Sequence, residues 1–151
     1  MNSQELAYEV ARIIDEKLGH DILIIDLRGI ADIADYFVIG TGDNNRKVDA
    51  IVDEIENQLR PKDVRAIAID GREDNTWDIL DFGSVIAHIF QPEARAFYRL
   101  EKLWADAPRV EYSEGVVTDL GKGTPDRQSA ESEDADADAE AAAAIAAEDA
   151  E

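Results

Sequence analysis

The 151-residue sequence contains no cysteine. Disulfides, thiolate metal sites and cysteine nucleophiles are therefore excluded. Long apolar runs are missing too, and nothing approaches the ~20 consecutive apolar residues of a membrane span. The first residues, Met1 to Leu6, carry neither a basic segment nor an apolar one. No signal peptide is expected, and the setting reads as cytoplasmic. Positive charge is scarce: Lys plus Arg is 15 against 35 Asp plus Glu, a formal net charge of −20. Such a chain repels phosphate backbones, so general or sequence-specific nucleic-acid binding is not expected.

The charge is unevenly placed. Residues 1–110 carry 13 Lys/Arg and 22 Asp/Glu (13 − 22 = −9), and residues 111–151 carry 2 and 13 (2 − 13 = −11). The last 23 residues, 129–151, hold 11 Ala and 9 Asp/Glu with a single Ile. That composition buries too little to offset the entropy of ordering, so it reads as a disordered acidic tail. The expected organisation is a domain over 1–110, a linker over 111–128 and the tail over 129–151.

Within the domain, Leu6, Val10, Ile13, Ile14 and Leu18 recur at helical spacing after a capping Ser3, and Gly19 is a natural stop. Asp21–Leu27 is apolar on both faces and reads as a central strand. Tyr36–Gly40 is a second strand. Val48, Ile51, Val52, Ile55 and Leu59 stripe a second helix, with Pro61 beyond its end. Val64–Asp70 is a third strand, so strand, helix and strand imply a right-handed parallel crossover. Trp77–Phe82 and Ser84–Gln91 read as an antiparallel hairpin around Gly83. Pro92 opens a last helix whose inner side would be Phe97, Leu100, Leu103, Trp104 and Ala107. The fold class is α/β, a mixed five-stranded sheet flanked by helices.

Catalytic signals are weak. Gly40-Thr41-Gly42 before a helix would suit a phosphate, but Asp43 occupies the anion's place and no P-loop or dinucleotide fingerprint follows. The domain has no Asp-x-Asp for two-metal chemistry. Glu54 and Glu56 point to different sides of a helix, and Asp78 and Asp81 to opposite faces of a strand. His20 reads as an exposed turn residue. His88, in an apolar strand, reads as a structural histidine. No serine sits in a nucleophile elbow. Trp77, beside carboxylates on a strand with mixed faces, is either an interaction hot spot or packing beneath the last helix.

Three blocks are more specific. They are Ala34-Asp35-Tyr36-Phe37-Val38-Ile39 with Thr41-Gly42 and Arg46; Trp77 with Asp81-Phe82-Gly83, Val85, His88 and Phe90; and Arg95, Phe97-Tyr98, Leu100-Glu101 and Leu103-Trp104 with Asp106-Ala107-Pro108. Together they resemble the ribosomal silencing factor family, RsfS, also called Iojap, over about Ser3 to Pro108. Asp78 stands where the family usually has an apolar residue, and Ser84 where Asp is frequent. The resemblance implies a fold shaped like a nucleotidyltransferase without its catalytic carboxylates, no cofactor and no metal. It also implies docking on the large ribosomal subunit through ribosomal protein L-fourteen. Joining of the small subunit would be blocked sterically, and translation repressed in starvation or stationary phase. Within that reading, Trp77, Ile79, Asp81, His88 and Phe90 are the expected contact face, with Asp70, Gly71, Glu73 and Arg95 at its rim. An acidic domain suits a basic ribosomal protein. A homodimer through the same hairpin is an open possibility, and a metal-dependent nucleotidyltransferase-like enzyme is the alternative function.

Overall fold

The computed structural model describes residues 1–123, so the tail proposed for 129–151 lies outside the described residues. Helix α1 (Ser3–Glu16) starts one residue earlier than Ser3 capping would place it. The Asn2 side chain is the cap and accepts from the Glu5 amide at 2.7 Å. Leu6, Val10, Ile13 and Ile14 are buried, so the helical stripe faces the core. Leu18, in the left-handed region at φ 64°, turns the chain into β1 (His20–Asp26) and is exposed. Gly19 is required there because a Cβ would lie 2.4 Å from the Ile14 Cγ2.

Strand β2 (Tyr36–Thr41) is buried throughout. It leads through Asn44, whose side chain accepts from the Lys47 amide at 2.9 Å, into α2 (Asn45–Leu59). The apolar stripe Val48, Ile51, Val52, Ile55 and Leu59 is buried as its spacing requires. A short 3₁₀ turn (Arg60–Lys62) and a left-handed Asp63 follow. The third strand, β3 (Ala68–Asp70), is consequently shorter than the Val64–Asp70 run. Strands β4 (Trp77–Asp81) and β5 (Val85–Phe90) form the antiparallel hairpin around Gly83.

The sheet has seven strands in the order β3-β4-β5-β2-β1-β6-β7, where five were expected. The two additional strands are β6 (Pro108–Ser113) and β7 (Val116–Lys122), a hairpin occupying much of the expected linker. Its turn residues Glu114 and Gly115 both have positive φ, 51° and 81°. That conformation matches the twist of a two-residue hairpin. Strand β6 pairs with β1, and buried Arg109 fixes its start by donating to the Glu101 and Trp104 carbonyls at 2.7 and 2.6 Å. These carbonyls lie at the end of the last helix, where intrahelical donors run out, and the Trp104 carbonyl accepts from the Ala107 amide as well.

Strand β2 pairs in parallel with β5, whereas β5–β4 and β4–β3 are antiparallel. Strand β3 therefore runs parallel to β2, as a crossover requires, but with two strands, β4 and β5, between them. Helices α1 and α2 cover one face over Ile22, Ile24, Val38, Leu80, Ala87 and Ile89. The other face carries Ile25, Phe37, Ile39, Ile79, Ile86 and Phe90 beneath α3 (Pro92–Tyr98) and α4 (Leu100–Leu103). One long final helix was expected. It is broken at Arg99, which adopts φ 49°. The break rotates Phe97 out of the core, leaving it 77% exposed, while Leu100 and Ala107 stay buried.

Candidate functional site

The face beneath α3 is built on two cross-strand pairs of the β4–β5 ladder, the end pair and the middle one. Trp77 on β4 lies opposite Phe90 on β5, and Ile79 opposite His88. The Trp77 indole stacks on Phe90 at 4.9 Å between ring centroids, and Tyr98 of α3 packs on its other side at 4.7 Å. Phe97 meets Tyr98 edge-on at 5.0 Å. A ladder of four aromatic rings thus rises from the buried sheet to solvent, from Phe90 through Trp77 and Tyr98 to Phe97.

A hydrogen bond sets the angle of the indole. Trp77 Nε1 donates to His88 Nδ1 at 3.1 Å. His88 is buried, and burial alone pushes its pKa down to about 3. The imidazole is therefore neutral at physiological pH. Because Nδ1 accepts, the proton sits on Nε2. Phe37 packs edge-on against the imidazole at 4.5 Å. The histidine is structural, as its apolar strand suggested, and what it positions is the tryptophan.

The nine proposed contact residues divide by depth. Ile79, His88 and Phe90 are buried inside the domain and reach a partner only through the rings they support. Trp77 is half-buried, so it both packs and presents an edge. Asp81 is partly exposed, and its carboxylate accepts from the Gly83 amide at 2.7 Å, which shapes the β4–β5 turn. Asp70 and Glu73 are exposed at the β3–β4 connection. Gly71, at φ 92°, has no room for a side chain: a Cβ would lie 2.1 Å from the Trp77 carbonyl oxygen. That close approach seats the connection against the strand bearing the tryptophan. Arg95 is turned away from the ladder. It donates to Thr41 Oγ1 at 2.7 Å, to the Asp21 carbonyl, and to Glu101 at 3.4 Å. Tyr98 and Phe97 were missed as face residues because an unbroken helix puts Phe97 inward; no local residue announces the Arg99 break.

Behind Trp77, on the opposite face, Asp78 is completely buried and both carboxylate oxygens lack partners. Burial, foremost, pushes its pKa up to about 7, with Asp49, Asp74 and Asp70 adding to the rise and Arg72 opposing it. Arg72 is already engaged by Asp49, Asp53 and Glu56 of α2 at 2.7, 2.6 and 3.0 Å. This network pins the β3–β4 connection to α2. The two glycines before α2 have packing reasons. A Cβ on Gly40 would lie 2.9 Å from Ile14, and one on Gly42 3.0 Å from Val48. Among the described residues, no group of three or more His, Cys, Asp or Glu side chains is arranged to hold a metal ion, and no helix is long and apolar enough to cross a membrane.

A helix-covered mixed sheet with an aromatic ladder reaching solvent defines an α/β protein with a partly exposed aromatic face. Residues 1–147 match the family model described as ribosomal silencing factor during starvation. The chain is 36% identical over 118 residues to the ribosomal silencing factor of Halalkalibacterium halodurans, covering 78% of this chain and all of that one. It is 35% identical to its counterpart in Bacillus subtilis, covering 77% and 98%. A crystal structure of a protein from Chromobacterium violaceum superposes with a TM-score of 0.67 at 28% identity, over 69% of this chain and 87% of that one. The chain belongs to the ribosomal silencing factor family, RsfS.

Proposed function

We propose that this protein docks on the large ribosomal subunit through ribosomal protein L-fourteen and sterically blocks joining of the small subunit. Translation would thereby be repressed in the cytoplasm during starvation or stationary phase. The observation that carries the reading is the ladder of Trp77, Tyr98 and Phe97, in which Phe97 is 77% and Tyr98 47% exposed. Aromatic anchors of this kind concentrate binding energy, and Trp and Tyr are the residues most enriched at hot spots. Exposed Asp70, Glu73 and Asp74 border the β3–β4 side of the same sheet. Their charge complements a basic ribosomal protein and steers its approach. The names of the bacterial relatives support a silencing role. The likeness in shape to nucleotidyltransferases is part of this reading, with the sheet serving as a docking platform.

Two measurements test it. Purified protein is titrated with isolated L-fourteen by calorimetry, and the same preparation is added to large and small subunits before sedimentation. Saturable binding to L-fourteen with loss of joined ribosomes is the expected result. Joining at undiminished yield, with the protein bound to neither subunit, contradicts it. Concentration-dependent sedimentation of the free protein shows whether two copies use the ladder on each other, in which case dimer formation competes with L-fourteen.

A further inference from the structure

The parallel pair β2 and β5 ends level, Thr41 beside Phe90. Beyond these ends the chain departs in opposite directions. Strand β2 continues into α2 on one face of the sheet, and β5 into α3 on the other. A crevice outside the carboxyl ends of parallel strands, where successive connections go to opposite faces, is the favoured ligand position of open α/β sheets. Here that crevice is present, with a volume of about 390 Å³, and it is lined by His20, Thr41, Arg95, Arg99 and Lys102 together with Asp21 and Glu101. Its size falls within the ~300–1,000 Å³ of small-ligand sites.

The charge in the crevice runs against the rest of the chain. Arg95, Arg99 and Lys102 face two carboxylates, in a protein of net charge −20. Both carboxylates already have side-chain partners. Glu101 accepts from Arg95 at 3.4 Å, and Asp21 contacts His20 Nδ1 at 2.8 Å. The second ring nitrogen of His20 lies 2.6 Å from Asp43. Lys102 is exposed and forms no ion pair among the described residues. Arg95 is held rigidly, its side chain only 12% exposed and bonded to buried Thr41. The feature has no part in the aromatic ladder, which lies on the other side of α3.

We propose that this crevice binds a phosphate group, carried by a free nucleotide or by a nucleic-acid backbone. Guanidinium and ammonium groups converging on one opening are the donor set for phosphate oxygens, and charge-assisted bonds of this kind are the strong ones. The acidic surface elsewhere slows the approach of a polyanion. It is screened beyond about 8 Å at physiological salt, so the local cations govern the bound state. His20 borders the opening, and its hydrogen bonds with Asp21 and Asp43 raise its pKa.

The test uses the full isotope-labelled chain without ribosomes, so it is independent of the docking reading. Three probes are titrated in magnesium-free buffer: adenosine triphosphate, inorganic pyrophosphate and a short single-stranded RNA. Expected are saturable amide shifts at His20, Thr41, Gly42 and from Arg95 to Lys102. Lys102→Glu should weaken binding about tenfold, the factor one charge-assisted contact carries. Arg99→Asn, chosen because Asn tolerates a positive φ, should do likewise. Thermal melts establish that both variants fold. Lys122→Glu, on the edge strand β7 and outside the crevice lining, controls for net charge and should leave affinity unchanged. Shifts with nucleotide and pyrophosphate identify a free phosphate ligand, and the same shifts with RNA alone identify the backbone as its source. No saturable shift with any probe, or equal weakening by Lys122→Glu, overturns the proposal.

Discussion

Asp78 is the clearest point at which this chain acts against its own stability. Its side chain is 0% exposed and neither oxygen has a partner. Arg72, the cation that acts on it among the described residues, is shared among Asp49, Asp53 and Glu56. The folded-state pKa is about 7, against an ordinary value of 3.8. A pKa raised on folding means that the folded state binds the proton more tightly. Stability from this group is fully present below pH ~4 and is lost as pH rises towards 7. A rise of about 3 units at ~1.4 kcal/mol each makes the loss on the order of 4 kcal/mol. Asp78→Leu removes both the titration and the orphaned oxygens. We expect it to stabilise the protein by about 2–4 kcal/mol at pH 7.5, with the gain shrinking by most of that amount at pH 4.5. Urea unfolding of both proteins from pH 4.5 to 8 measures this directly. The other 34 acidic residues titrate in both proteins, so the difference isolates Asp78. A difference independent of pH, or an Asp78 carboxyl resonance titrating near 4, refutes the reasoning.

Other outcomes follow from the same geometry. Phe97→Ala should leave the melting temperature unchanged, because the ring is 77% exposed, yet weaken large-subunit binding by about 2 kcal/mol if Phe97 is an anchor. His88→Ala removes the acceptor for the Trp77 indole and opens a cavity; unfolding should come about 2–3 kcal/mol sooner, with a red-shifted tryptophan emission. Gly71→Ala should destabilise by more than about 2 kcal/mol, since the Cβ meets the Trp77 carbonyl at 2.1 Å and φ is positive. His20 should titrate above its ordinary value in an NMR pH series, and Asp43→Asn should bring it down, because one of its two carboxylate partners is lost.

The elements that sequence periodicity revealed are those with one consistent face. The stripe of α2 from Val48 to Leu59 and the doubly apolar β1 and β2 could bury themselves in few other ways. Where geometry depended on a single backbone residue, pattern was a poorer guide. The Arg99 break, with its positive φ, turned Phe97 from an inner residue into the outermost ring of the ladder. The β6–β7 hairpin was obscured by Pro108, by Gly115 and by the fully exposed β7, which lacks apolar alternation. A signal was nevertheless there: two β-rich runs, Arg109–Ser113 and Val116–Leu120, separated by the two residues Glu114-Gly115. The proposed face was legible in Trp77, whose neighbours were named in the right strands. Its depth was not, because alternation tells which face a residue takes and not what covers it. Ile79, His88 and Phe90 were thus named as contacts although α3 and Trp77 lie over them.

The docking role of the ladder is tested most directly by co-sedimentation of the protein with isolated large subunits, comparing wild type with Phe97→Ala and Trp77→Ala at matched folding. Wild type should pellet with large and not small subunits, Phe97→Ala should require about thirtyfold more protein for half-saturation, and Trp77→Ala at least as much. Equal pelleting of all three proteins would contradict the ladder as the ribosome-facing surface.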